Sequence, residues 1–182
     1  MVLLIITIAG NAGSGKSTVA KEVAKKLKYN HYSSGDAMRS IAKQRAITIL
    51  ELNKLGEKDP SIDHEVDGWV DTLGKTENNF VIDSRLAFHF IPHSFKVFLT
   101  GDFEVRMDRI FKEGKRVSEE HKTVEDLKEF MQEREASEMK RYKKLYHLNY
   151  YEEKNYDLVV DTTEMNVKEV VKEILVKVRE HQ

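Results

Sequence analysis

Met1-Val-Leu-Leu-Ile-Ile-Thr-Ile-Ala9 runs without a break into Gly10-Asn-Ala-Gly-Ser-Gly-Lys-Ser17, and a helical pattern follows at once. The opening is apolar and β-branched with no polar alternation, as a strand covered on both faces of a parallel sheet requires. It lacks the positive start of a signal peptide and is too short to span a bilayer. Gly10–Ser17 satisfies G-x-x-x-x-G-K-[ST] in full, and Val19, Ala20, Val23, Ala24 and Leu27 then recur on one helix face. Strand, glycine-rich loop and helix in that order make a phosphate cradle. Glycines let backbone N–H groups converge on phosphate oxygens, and the helix N-terminus adds its positive dipole end. Gly10, Asn11, Ala12, Gly13, Ser14, Gly15, Lys16, Ser17 and Thr18 are therefore candidate ATP-binding residues. Lys16 is placed to reach the β- and γ-phosphates as a catalytic residue, and the Ser17 hydroxyl to ligate Mg²⁺.

Outward from this unit, further strands are expected at Tyr29–Ser33, Phe80–Asp83, Lys96–Thr100 and Leu158–Asp161, with the first strand at Leu3–Ile8. Helix-period stretches separate them, so the fold class is α/β: a P-loop three-layer α/β/α arrangement around a parallel five-stranded sheet. The last helix is the clearest. Val167, Val170, Val171, Ile174, Leu175 and Val178 form its stripe, with Asn166 and Glu169 as a capping box. Residues ~37–76 read as helices only, with Asp59-Pro60 as a helix start, and residues ~112–150 are charged and helical, capped at Thr123. Both read as covers on one core, a helical acceptor-binding insert and a helical lid, within a single domain spanning 1–182.

Thirty basic against 31 acidic residues leave a formal net charge of −1, which argues against a broad nucleic-acid-binding surface. There is no cysteine, so a disulfide scaffold and a Cys-ligated zinc site are excluded. No segment is apolar enough to cross a membrane, and a cytoplasmic monomer is expected. Among seven histidines only His89 and His93 sit at i,i+4; they straddle Pro92 without a third ligand, so no metal is assigned to them.

The acceptor side is carried by three further stretches. Tyr32-Ser-Ser-Gly-Asp-Ala-Met-Arg39 follows the second strand and opens a helix. Val81-Ile-Asp-Ser-Arg-Leu-Ala87 ends the third strand, and an acid there, beside a phosphate-binding loop, is the usual place for a Mg²⁺–water ligand. Asp83 fits that role, and Arg85 leaves the same edge, able to bind a phosphate bidentately. Arg134-Glu-Ala-Ser-Glu-Met-Lys-Arg141-Tyr142 places Arg134, Glu138 and Arg141 on one helix face. Spacing alone suits an exposed salt-bridged helix as well. Asp63 and Asp67, also i,i+4, read more readily as a solvated helix face than as groups that accept from a base.

In succession these stretches resemble the cytidylate kinase-like proteins among the nucleoside-monophosphate kinases, in family order and over nearly the whole chain. The resemblance implies that Ser34, Gly35, Arg39, Arg85 and Glu138 bind the acceptor, with Arg39 clamping its 5′-phosphate. It implies that Arg134 and Arg141 act on the transferring phosphoryl group from the lid. Arg106 or Arg109 then packs against adenine; the sequence does not separate them, and Arg109 stands as the ATP-side candidate. Where short cytidylate kinases resemble Glu-Gly-Arg-Leu-Ala, this chain has Asp83-Ser84-Arg85-Leu86-Ala87, which departs at its first two positions. The expected activity is transfer from ATP·Mg²⁺ to CMP, with dCMP or UMP next. The alternatives are another acceptor such as AMP, or an ATP-dependent switch without a kinase acceptor.

Overall fold

The computed structural model describes residues 4–113 and 123–181. Its strands are β1 Ile5–Gly10, β2 Asn30–Ser33, β3 Phe80–Asp83, β4 Phe95–Thr100 and β5 Leu158–Asp161. All pair in parallel in the order β2-β3-β1-β4-β5. The helices are α1 Lys16–Leu27, α2 Ser34–Gln44, α3 Ile49–Gly56, α4 Ser61–Thr76, α5 Ala87–Phe90, α6 Phe103–Glu113, α7 Val124–Tyr146 and α8 Val167–His181. The three-layer α/β reading holds. Leu3, the expected start of the first strand, lies outside the described residues, as do 114–122 of the expected lid.

Alternation along β1 sorts the two cores. Ile6 and Ile8 are fully buried against Val19, Val23, Val170 and Ile174 of α1 and α8, together with Val97 and Leu99. Ile5 faces the other layer, with Phe80, Ile82 and the α4 residues Val70 and Leu73. Each such aliphatic side chain contributes about 1.5–3 kcal/mol on burial, so a charge at Ile8 would disrupt the α1–α8 layer. Smaller clusters seat the covers: Ile41, Leu52, Ile62 and Val66 join α2, α3 and α4, while Met107, Ile110, Leu127 and Met131 join α6 to α7.

β1 runs two residues further than expected, to Gly10, because that residue still pairs with Leu99 of β4. A Cβ at Gly10 would lie 2.1 Å from the Leu99 carbonyl oxygen, so only glycine permits the pairing. β4 begins one residue early at Phe95 and β2 one late at Asn30. α2 starts at Ser34 rather than near 37, because the Ser33 hydroxyl accepts from the Asp36 N–H and turns strand directly into helix. The expected caps at Thr123 and Asn166/Glu169 are present.

Candidate active site

The order β2-β3-β1 sets the carboxyl ends of three strands side by side, the position where open parallel sheets bind ligands. From β1 comes the glycine-rich loop. Its Asn11 N–H donates to Leu99 O at 3.1 Å, and the Asn11 carbonyl accepts from Ser14 Oγ at 2.8 Å and from Lys16 Nζ at 2.6 Å. Gly13 has φ +78, and a Cβ there would meet the Arg106 carbonyl at 2.5 Å, so α6 packs directly on the loop. α1 opens at Gly15 with no side-chain cap and no acid in its first turn, whereas α2, α3 and α7 are each capped by a hydroxyl. The α1 N-terminus thus keeps free N–H donors and a favourable dipole for an anion. The Lys16 side chain is partly exposed along its length, but its ammonium sits deep. Burial, and then repulsion from Arg85, pull its pKa down to about 7.

Asp83 ends β3 next to this loop and is buried. Its Oδ2 accepts from Ser17 Oγ at 2.9 Å and from Ser33 Oγ at 3.0 Å, while Oδ1 contacts His31 Nε2 at 2.7 Å. Ser17 and Asp83, the two expected Mg²⁺ groups, are therefore in contact. A hydroxyl beside a carboxylate is an oxygen donor set suited to a hard, water-rich cation. Among the described residues no group of three or more His, Cys, Asp or Glu side chains could hold a metal. A cation here would thus need oxygens from nucleotide or water as well.

Beyond Asp83 a cleft is lined from β2–α2 by Ser34, Gly35 and Arg39, from β3 by Ser84 and Arg85, and from α7 by Arg134, Glu138 and Arg141. All the expected acceptor-side residues and both lid arginines are thus brought together. Glu138, 4% exposed, is the hub: its oxygens lie 2.9 Å from Arg85 Nε and 3.0 Å from Arg134 Nε. The Arg134 contact is an aligned hydrogen bond, whereas Arg85 Nε and Glu138 Oε2 are close without hydrogen-bond alignment. Burial opposes the Glu138 charge, yet Arg85 and Arg134 together hold its pKa below the ordinary glutamate value. Burial is the largest single influence on Arg85 and opposes its charge, but Glu138 together with the hydroxyls of Tyr150, Tyr142 and Tyr151 outweighs it and the guanidinium pKa rises. Behind them Tyr142 and Tyr150 stack edge to face at 5.8 Å and keep water out. The guanidinium partners of Glu138 make it an organiser of arginines.

Asp63 and Asp67 do not form a solvated face. Asp63 is buried, with Oδ2 2.9 Å from Arg141 Nε, and Asp67 takes a hydrogen bond from the Tyr146 hydroxyl. Burial, offset in part by Tyr146, raises the Asp67 pKa to about 6. Both acids line the cleft, as do Met38, Ile49, Asn53 and Tyr142, none of which the sequence singled out. A signal existed for the α7 tyrosines: 134, 138, 142 and 146 repeat at i,i+4 on one face.

Arg106 and Arg109 separate clearly. Arg106 is buried and donates to Gly101 O, Ala12 O and Glu135 at 2.8–3.0 Å, so it braces the glycine-rich loop against α7. Arg109 instead lines a second cavity with Gly13, Gly15, Thr18 and Asn166, held by Thr162 and Thr163.

A family model described as the cytidylate kinase-like family matches residues 5–164. Among curated relatives, a cytidylate kinase of Haloarcula marismortui is 39% identical over 161 residues, covering 87% of this chain and 81% of that one. A cytidylate kinase of Thermoplasma volcanium is 35% identical over 179 residues, with 96% and 91% covered. Among solved structures, a shikimate kinase from Bacteroides thetaiotaomicron superposes with a TM-score of 0.71 at 15% identity, over 98% of this chain and 99% of that one. That likeness concerns the fold alone.

Proposed function

The chain belongs to the cytidylate kinase-like family, and from that membership we propose that it transfers the γ-phosphoryl group of ATP to CMP, giving ADP and CDP. The observation that carries this reading is the contiguity of an uncapped phosphate-binding helix start with a cleft lined by Arg39, Arg85, Arg134 and Arg141. One end takes a triphosphate; the other needs a phosphorylated acceptor to match its guanidiniums.

ATP lies with its phosphates along Gly10–Thr18 and its base in the cavity beside Arg109. Lys16 leaves the Asn11 carbonyl for the β- and γ-phosphates. Ser17 and Asp83 would hold Mg²⁺ together with the nucleotide, and the ion would supply charge neutralisation at the phosphates. CMP lies over Ser34 and Gly35 with its phosphate between Arg39 and Arg85. Its phosphate oxygen attacks the γ-phosphorus in line. The bond from that phosphorus to the β–γ bridging oxygen breaks, and ADP leaves. Arg134 and Arg141, steered by Glu138, neutralise charge on the moving group, so catalysis is positioning and electrostatics with no protein nucleophile. We take residues ~37–76 as the acceptor cover and ~112–150 as the lid of one kinase domain, which acts as a cytoplasmic monomer.

The test is ADP formation from ATP and Mg²⁺ with a panel of CMP, dCMP, UMP and AMP, products resolved by chromatography. CMP is expected to be the best acceptor. A preference for AMP would refute the cytidylate assignment, and no acceptor above the water rate would refute the kinase.

A further inference from the structure

The proposal concerns His31, which has no part in the mechanism above, and it rests on that mechanism only in needing ATP and a divalent cation at Ser17 and Asp83. His31 and Ser33 lie two apart on β2 and so point to the same side of the sheet; Ser33 pairs in register with Asp83 on β3. This sets two β2 side chains against one carboxylate, His31 Nε2 on Oδ1 at 2.7 Å and Ser33 Oγ on Oδ2 at 3.0 Å, with Ser17 Oγ also on Oδ2 at 2.9 Å. The three partners are unequal. A hydroxyl hydrogen rotates to suit its surroundings, so Ser17 and Ser33 follow the carboxylate without fixing its plane. The Ser17 hydroxyl also turns its lone pairs to a cation when one is bound. The terminal torsion of an aspartate is soft. Only the planar imidazole, held on a strand and mostly buried at 17% side-chain exposure, supplies a directed donor. An ionised carboxylate accepts only, so Nε2 carries the hydrogen.

We propose that His31 is a positioning residue for the metal–nucleotide corner: its Nε2–H locks the plane of Asp83 so that Oδ2 faces Ser17 whether or not Ser17 is donating to it. An edge-strand position such as 31 could be filled by any ring for packing alone, and the contact with Asp83 is what an apolar ring would lose. Partners of this outer kind typically change metal affinity or activity by about 10–100-fold.

The experiment uses the intact chain and two variants that keep the side chain's bulk. His31→Phe keeps a ring and removes the donor; His31→Gln supplies an N–H near the position of Nε2. Mn²⁺ affinity of the ATP complex is read by electron paramagnetic resonance, without acceptor or turnover. His31→Phe is expected to weaken Mn²⁺ about 10-fold, His31→Gln to recover most of it, and KM for CMP to stay within about twofold in both. In the unliganded protein, ¹⁵N imidazole shifts at pH 8 should show Nε2 protonated. Unchanged Mn²⁺ affinity in His31→Phe, no recovery in His31→Gln, or a histidine protonated at Nδ1 alone would each overturn the proposal. Failure of the unaltered protein to phosphorylate CMP would refute the kinase reading, while the Mn²⁺ measurement, which needs only ATP, would still judge His31.

Discussion

Glu138→Gln is the substitution that most directly tests how the cleft is held. The change is isosteric and removes one charge from a carboxylate that is 4% exposed and touches two guanidiniums. The two contacts are worth different amounts. Arg134 is a third exposed and sits one helical turn away, so its share is about 0.3–0.5 kcal/mol. Arg85 is only 21% exposed, and breaking a buried pair from one side costs about 3–5 kcal/mol. Its residual opening to the cleft brings that towards the lower bound, so the sum is about 3 kcal/mol. For a chain of this length each kcal/mol lowers Tm by about 2–4 °C, and thermal unfolding followed by circular dichroism should therefore fall by about 6–12 °C. The loss should be specifically electrostatic. CMP, or inorganic phosphate at higher concentration, should raise the variant's Tm more than that of the unaltered protein, because the anion restores the missing negative charge between the arginines. kcat should fall by about 100-fold as the guanidiniums lose their aim. An unchanged Tm, or a lowered Tm equally responsive to phosphate in both proteins, would refute the assignment of Glu138 as the counter-charge.

Lys16→Ala should lower turnover by about 10²–10³ with the far-UV spectrum unchanged, since one donor to the developing charge is lost; near-normal turnover would contradict the loop assignment. Arg85→Ala and Arg39→Ala should raise KM for CMP by about 10–100-fold, the value of one charge-assisted hydrogen bond, and leave KM for ATP almost unchanged. Equal weakening of both substrates would place them on the ATP side. For Asp67, a folded pKa of about 6 exceeds the unfolded value of about 3.9, so its protonated form favours the folded state. That contribution is complete below about pH 4 and lost as pH rises through about 6. Asp67→Asn should thus match the unaltered protein at pH 4 and exceed its stability at pH 8 by at most about 3 kcal/mol. Parallel Tm curves across that range would refute it.

How far these residues were readable from sequence depends on how local their constraints are. The glycine-rich loop was legible because strand, loop and helix are consecutive, and Gly10 and Gly13 are required by contacts that any such loop makes with its neighbours. Arg134, Glu138 and Arg141 were legible as one face, but an exposed ion-paired helix has the same spacing. Asp63 and Asp67 show where local reading stops. On α4 the buried stripe is Ile62, Val66, Val70 and Leu73, and each acid follows a stripe residue by one position, or about 100° around the helix. Such border positions face solvent or a partner according to what docks beside them. Here α7 docks, and Arg141 and Tyr146 come from far along the chain. His31 was hidden for the same reason: only the β2–β3 register places it at Asp83.

The charges of the cleft explain why these distant partners matter. Each of its four arginines already has a carboxylate: Arg39 has Asp36, Arg85 and Arg134 share Glu138, and Arg141 has Asp63. Asp67 also lines the cleft and, with a pKa of about 6, is largely ionised at neutral pH, so four guanidiniums face four carboxylates before the Lys16 ammonium is counted. Without such acids, so many cations in a tyrosine-backed cleft would repel one another and push α7 away from it. With them, the arginines are aimed in advance. A phosphate that enters then competes for guanidiniums already oriented and need not order them, which is where preorganised electrostatic catalysis gains over water. Asp63 and Arg141 extend this across the cleft, because they join α4 to α7. One ion pair therefore sets both elements, and under the proposed mechanism a change at either residue should be felt at both substrates.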